Sequence, residues 1–309
     1  VSGDRAVQHQ KDAGLKPAQA DKLLDRYRVT DGDAFRLKDH DPGDQGGGLI
    51  HGSQMKKRLE AGVAALSELQ SRLYADDRWS VLMVLQGMDA AGKDGTIRHV
   101  MTGVNPQGVT VTPFKQPSPD ELAHGFLWRV HMAAPRAGRI AIFNRSHYED
   151  VLVARVHPAL LDKLHLPEAM RGKKFWKHRL EDIAAFETYL ARQGTVVLKF
   201  FLHLSRDEQK TRFLARLDEP AKNWKFSAAD LKERDYWDDY QDAYEKAIAG
   251  TAAPHAPWFV VPADDKVFAH LVVAEAVIEA LRGLALKVPE MAPGEAALLG
   301  EARRRLEGE

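Results

Sequence analysis

The chain has 309 residues, with 44 lysines and arginines balancing 44 aspartates and glutamates, 44% hydrophobic residues and no cysteine. The zero net charge argues against a general nucleic-acid binder. The lack of cysteine excludes disulfides, thiolate catalysis and thiolate metal sites. No apolar run approaches the roughly 18 residues of a membrane span. The polar N-terminal stretch lacks a signal-peptide core, so a cytoplasmic protein is expected.

Taken in order, a short helix is expected near Pro17–Tyr27, followed by an arm through the turn-rich Asp41–Gly48. Leu59, Val63, Leu66, Leu69 and Leu73 recur at three or four residues, which predicts a helix over 53–76. Ser80–Gln86 is apolar without alternation, as in a strand buried on both faces. Similar runs follow at Val109–Thr112, Arg139–Phe143, Thr195–Leu204 and Trp258–Val261, with helical segments between them. This alternation implies a doubly wound α/β fold with a parallel sheet. The box Ser118-Pro119-Asp120-Glu121 starts a helix expected to reach Ala134, where Pro135 stops it. Ser205 starts a helix to about Leu217, and Ser227 with Asp230 starts one to about Gly250. A last core helix is expected over Lys266–Leu281, then a polar tail with a short helix from Gly294.

Gly87-Met88-Asp89-Ala90-Ala91-Gly92-Lys93-Asp94 leaves the first buried strand and enters the helical stretch Gly95–Met101. Glycine, four residues, then Gly-Lys is the spacing of a Walker A loop. Its glycines let backbone N–H groups and a helix N-terminus approach phosphate oxygens, and Lys93 adds a full charge. Asp94 stands where serine or threonine usually holds Mg²⁺, and Thr96 lies two residues on. Asp89, inside the loop, is therefore the carboxylate expected to hold a metal or orient the acceptor. The strand Arg139–Phe143 ends in Asn144-Arg145-Ser146-His147-Tyr148-Glu149-Asp150, at the end of the sheet where ligands bind. Asn144 can hold a metal-bound water and Arg145 a phosphate. His147 can bind phosphate or be a packing residue. Glu149 and Asp150 are a metal or acceptor site, or merely the acidic first turn of a helix.

Lys199–Lys225 holds seven basic residues, among them Lys210, Arg212, Arg216, Lys222 and Lys225, against four acidic ones. Arg212 and Arg216, spaced i,i+4, share one helix face, and Phe213 and Leu217 an adjacent face that can pack inward. An arginine pair of this kind closes the lid of many kinases by binding phosphate oxygens in pairs, and an ordinary solvated face has the same pattern. Trp176, Trp224, Trp237, Tyr240 and Tyr244 are read as core rather than base-stacking residues.

The blocks Gly87–Thr96, Phe114–Pro117 (FKQP), Phe143–Val151 (FNRSHYEDV) and Phe201–Lys225 together resemble the family 2 polyphosphate kinases. The resemblance implies a three-layer α/β/α P-loop core with a helical lid, and reversible Mg²⁺-dependent phosphoryl transfer between polyphosphate and nucleotides, with Mn²⁺ as a substitute. It implies that Asp89 and Lys93 are the Walker A pair, Arg145 the Walker B arginine, and Arg212 and Arg216 the lid arginines. Much of the family has Asp-Arg-Ser-Trp-Tyr-Asn where this chain has Asn144 to Glu149. The Asn144, His147 and Glu149 version resembles the subgroup that phosphorylates AMP as well as ADP.

The organisation expected is an N-terminal extension over 1–50, a kinase domain over 51–285 with a lid at about 205–250, and a tail over 286–309. Phosphate and nucleotide would bind at Gly87, Ala90, Ala91, Gly92, Asp94, Gly95, Asn144, His147 and Glu149. Polyphosphate would run along Lys115, Arg129, Lys210, Lys222 and Lys225. A homo-oligomer, dimer or tetramer, is implied by the resemblance alone. Two rival readings share the loop and the arginines: an ATP-dependent kinase of a nucleotide or metabolite, and a non-catalytic sensor.

Overall fold

The computed structural model describes residues 17–50, 52–225 and 227–309. In chain order its elements begin with α1 (Pro17–Asp25), β1 (Arg28–Val29), α2 (Gly52–Asp76) and β2 (Ser80–Gln86). Then come α3 (Lys93–Val100), β3 (Val109–Pro113), α4 (Pro119–Ala123), α5 (Trp128–Met132) and β4 (Ile140–Asn144). The second half adds α6 (Val153–Val156), α7 (Phe175–Arg192), β5 (Thr195–His203), α8 (Arg206–Asp218) and α9 (Ala228–Glu233). It closes with α10 (Trp237–Thr251), β6 (Trp258–Pro262), α11 (Lys266–Gly283) and α12 (Pro293–Glu307).

Among the described residues six strands form one sheet in the order β1-β6-β5-β2-β4-β3. All neighbours run parallel except the edge pair, where β1 lies antiparallel to β6 with Val29 opposite Trp258. β2 is central and buried throughout. Its residues alternate between faces: Val81, Met83 and Leu85 pack with α2 and α11 side chains such as Leu66, Leu73 and Val277. Leu82 and Val84 pack on the other face with Ile183 of α7 and Tyr244 of α10. Helices thus cover both faces, the three-layer α/β/α arrangement, and each enclosed aliphatic side chain contributes about 1.5–3 kcal/mol. The extension is packed onto this core: Leu23 and Leu24 of α1 are fully buried, and β1 supplies the sixth strand.

Three local expectations are corrected. The helix expected over 118–134 is two short ones, α4 and α5. Ser118 makes its full capping box, but α4 buries no residue and the chain leaves it at His124-Gly125, so nothing rewards continuation. The helix expected from Ser227 is α9, a 3-10 turn at Arg234–Tyr236, then α10. Arg234 there donates to Arg206 O and Gln209 Oε1, contacts 28 and 25 residues apart that a local pattern does not carry, and Tyr240 donates to Glu233. On α8, Phe213 is buried as expected, whereas Leu217 is 47% exposed.

Candidate active site

β2 delivers the chain to Gly87 at the carboxyl end of the sheet. A Cβ there would lie 3.0 Å from the Leu202 carbonyl, so the start of the loop needs glycine. Ala90 (φ 64°) and Gly92 (φ 105°) are left-handed and bend the loop before α3 begins at Lys93. Lys93 arches back over its own loop, its ammonium donating to the carbonyls of Gly87 (2.6 Å) and Met88 (3.2 Å). Burial, then the nearby Arg145 guanidinium, lower its pKa to about 8, against the opposing pull of Asp89, Glu149 and Asp94.

β4 ends beside this loop. Asn144 donates to Asp94 Oδ1 at 2.7 Å, which gives the unusual Asp94 a structural partner. Thr96 is buried, and its hydroxyl donates to Gly92 O at 3.1 Å. Arg145 is left-handed (φ 63°) and bridges two acids: Nη2 donates to Asp89 Oδ1 at 2.8 Å and Nη1 to Glu149 Oε2 at 3.2 Å. Gln86 Nε2 holds the other Glu149 oxygen at 2.9 Å. Burial works against the Arg145 charge, but Glu149 and Asp89 outweigh it and raise its pKa.

These groups floor a cleft of about 1090 Å³. One wall is Pro113–Pro117 with Arg129, whose guanidinium lies 5.2 Å over the Phe114 ring and donates to Lys115 O. A second wall is Asp150, Val153, Ala154 and the Leu160–Leu164 turn, and a third is α8 with Asp230 of α9. Burial raises the Asp150 pKa, although Arg179 and Arg129 oppose it.

Most expected site residues converge here: Asp89, Ala90, Gly92, Lys93, Asp94, Gly95, Lys115, Arg129, Asn144, Arg145, Glu149, Arg212 and Arg216 all line the cleft. Gly87 lines a small adjoining cavity with Asp89 and Tyr244, and Ala91 is buried within the loop. His147 does not line the cleft. It is wholly buried, with Nε2 3.5 Å from Glu187, because Ser146 caps a turn that points His147 and Tyr148 inward and Glu149 and Asp150 outward. Lys210 is exposed outside the cleft, two residues off the Arg212 face. Lys222 and Lys225 fall in the 3-10 turn Pro220–Lys225, and their side chains lie outside the described residues. Among the aromatics, Trp237, Tyr240 and Tyr244 are core, while Trp224 is 78% exposed.

Arg212 differs most from expectation. Its Nη1 donates to the carbonyls of Ala90 (3.0 Å) and Ala91 (3.1 Å), and Nη2 to those of Ala263 (2.5 Å) and Asp264 (3.0 Å). Nε donates to Glu208 at 2.7 Å. All five N–H bonds are engaged, so Arg212 clamps the Gly87–Asp94 loop to the corner between β6 and α11. Arg216 instead faces the cleft and pairs with Asp230 at 3.4 Å. Sequence reasoning noticed Asp230 only as a helix start and missed Lys163 and Lys266, which also line the cleft. Neither lysine lies in a motif, and only folding brings them to the site. Among the described residues, no three His, Cys, Asp or Glu side chains gather closely enough to hold a metal alone.

Comparison with known proteins bears on this geometry. The family model "Polyphosphate kinase 2" matches residues 50–288. An ADP-polyphosphate phosphotransferase of Rhodopseudomonas palustris is 52% identical over 249 residues, 80% of this chain and 86% of that protein. An AMP/ADP-polyphosphate phosphotransferase of Meiothermus ruber is 46% identical over 274 residues, covering 86% and 96%. The crystal structure of polyphosphate kinase 2 from Arthrobacter aurescens TC1 superposes with a TM-score of 0.80 at 41% identity, over 88% of this chain and 95% of that one. The Gly87–Asp94 loop at the end of the central strand, a neighbouring strand that brings Arg145 to Asp89, and a match over 50–288 agree, and the chain belongs to the polyphosphate kinase 2 family.

Proposed function

We propose that this protein moves the terminal phosphoryl group of inorganic polyphosphate onto AMP and ADP, reversibly. The observation that carries the reading is the floor of the cleft, where Lys93, Arg145 and Asp89 meet at the carboxyl end of β2. Phosphoryl transfer asks for positioning and charge neutralisation rather than a protein nucleophile. An oxygen of the acceptor's terminal phosphate attacks the end phosphorus of the chain. The bond to the next phosphate breaks, and its electrons stay on the shortened polyphosphate. Lys93 and the loop N–H groups bind phosphate oxygens, and Arg145 and Arg216 offset the charge in flight. Arg212 contributes by holding the loop in shape. Lys115 and Arg129 line the wall along which polyphosphate lies, joined by Lys163 and Lys266.

Magnesium, or manganese in its place, fits this site in one mode. Such an ion takes one or two carboxylates, substrate phosphates and waters rather than a full protein cage. Asp89 has one oxygen on Arg145, leaving Oδ2 for a cation. The ion would neutralise phosphate charge when bound. Use of AMP is supported by the relative from Meiothermus ruber. Within this chain it would rest on Asn144 and Glu149, with His147 acting from beneath. A homo-oligomer and a cytoplasmic location belong to the same proposal; no helix among the described residues is long and apolar enough to cross a membrane.

The test is purified protein with Mg²⁺, long-chain polyphosphate and either AMP or ADP, with products separated by chromatography. ATP from ADP and ADP from AMP support the reading. No product from either, with ATP consumed against another acceptor, favours an ATP-dependent metabolite kinase instead. Binding of both ligands without turnover favours a sensor.

A further inference from the structure

Beneath the cleft lies a polar knot that the transfer chemistry does not touch. Lys199, in the middle of β5, is fully buried. Its ammonium donates to Glu187 Oε2 (2.5 Å), to the Thr251 carbonyl that ends α10 (2.7 Å) and to the Tyr148 hydroxyl (3.3 Å). That hydroxyl donates its one proton to Glu187 Oε1 at 2.8 Å and lies 2.9 Å from Thr251 Oγ1, which accepts from Trp258 Nε1 and donates to Ala247 O. Glu187 is 1% exposed; burial opposes its charge, yet Lys199 and His147 outweigh it and lower its pKa. The knot therefore ties β5, α7, α10 and β6 to the turn after β4.

Stability alone is a weak reason for it. A buried ion pair can often be replaced by apolar residues of similar volume at no loss. What the knot does fix is direction. Arg145 sits in a left-handed conformation, which persists in a bulky residue only where its surroundings over-determine it. Ser146 caps Tyr148 N at 3.1 Å, and the Tyr148 ring is pinned by its hydroxyl. The next residue, Glu149, is thereby aimed at Arg145 and Gln86.

We propose that Tyr148, Glu187 and Lys199 are positioning residues, a buried anchor that sets Arg145 and Glu149 for phosphoryl transfer. The inference rests on Arg145 taking part in that transfer. Tyr148→Phe removes one hydroxyl and tests it. With ADP as acceptor its kcat should fall about ten- to a hundredfold, as expected for a misplaced catalytic group, with the KM for polyphosphate within about twofold of wild type. In an Arg145→Lys background the same change should cost much less than in wild type, because the two act as one unit. Hydrogen exchange of the 145–150 amides should quicken while β2 and β5 stay protected. That readout needs no turnover, so it judges the anchor even if the wild type makes no product from polyphosphate, which would overturn the activity instead. A wild-type kcat per folded molecule, fully multiplying losses, or unchanged exchange in the turn would each overturn the anchor. If Tyr148→Phe does not fold, Lys199→Met with Glu187→Leu, which removes both charges of the pair together, is measured in the same way with the same expected losses.

Discussion

Replacing Arg212 by lysine separates a clamp from a phosphate-binding lid. The change keeps the charge and removes the planar fork. The fork now serves four backbone carbonyls and Glu208 from a side chain that is 7% exposed. A lysine ammonium at the same place reaches about two of these acceptors, so about three bonds are lost, each worth about 1 kcal/mol net. The cost is about 3 kcal/mol, and at about 2 °C per kcal/mol for a chain of this size, Tm falls by about 6 °C. Thermal unfolding followed by circular dichroism without substrate measures it, with kcat read well below the transition. A clamp predicts the lowered Tm, together with looser phosphate binding as the loop slackens. An unchanged Tm, within about 1 °C, with kcat down about 10²-fold would refute the reasoning and restore Arg212 to direct charge neutralisation.

Lys93, lowered to about 8 by burial and Arg145, should lose its proton as pH rises through that value. kcat/KM for polyphosphate, which reports the free enzyme, should decline above pH about 8; Arg145→Gln should move that limb upward, and a profile flat to about pH 9.5 contradicts the assignment. Because the unfolded lysine holds its proton to higher pH, this group adds stability as pH rises above about 8. Glu275, buried on α11 near Arg58 and Arg282, is raised by burial from 4.5 to about 7. Its favourable contribution is complete below about 4.5 and is lost as pH rises through about 7, so Glu275→Gln should stabilise by about 3 kcal/mol at pH 8 and hardly at all at pH 4.5, by urea unfolding. Finally, Arg129→Ala should raise KM for polyphosphate severalfold in a salt-dependent way, whereas Lys210→Ala should leave it unchanged; equal effects from both would remove the wall at Lys115 and Arg129 from the polyphosphate path.

Much of this protein was legible in the chain itself, wherever the cause is local. The strand Ser80–Gln86 declared itself because a segment buried on both faces must be apolar at every position. The strand-to-loop-to-helix passage at Gly87–Lys93 followed because its glycines, Lys93 and the flanking strand and helix are contiguous. Arg212 and Arg216 share a face because helical geometry alone puts them there. The long blocks shared with the family carried the activity. What the tertiary structure decided depends on partners far apart in sequence. Arg212 meets Ala90 and Ala263, 122 and 51 residues away, and no pattern along α8 tells a clamp from a free guanidinium. His147 and Glu149 are two residues apart in one motif, yet one is buried against Glu187 and the other lines the cleft. Their separation is set by a turn whose anchor, Lys199, enters from another strand. Asp230, Lys163 and Lys266 reach the site only because α9, the turn before α7 and the start of α11 close around the same end of the sheet, a convergence of backbone paths that side-chain chemistry does not record.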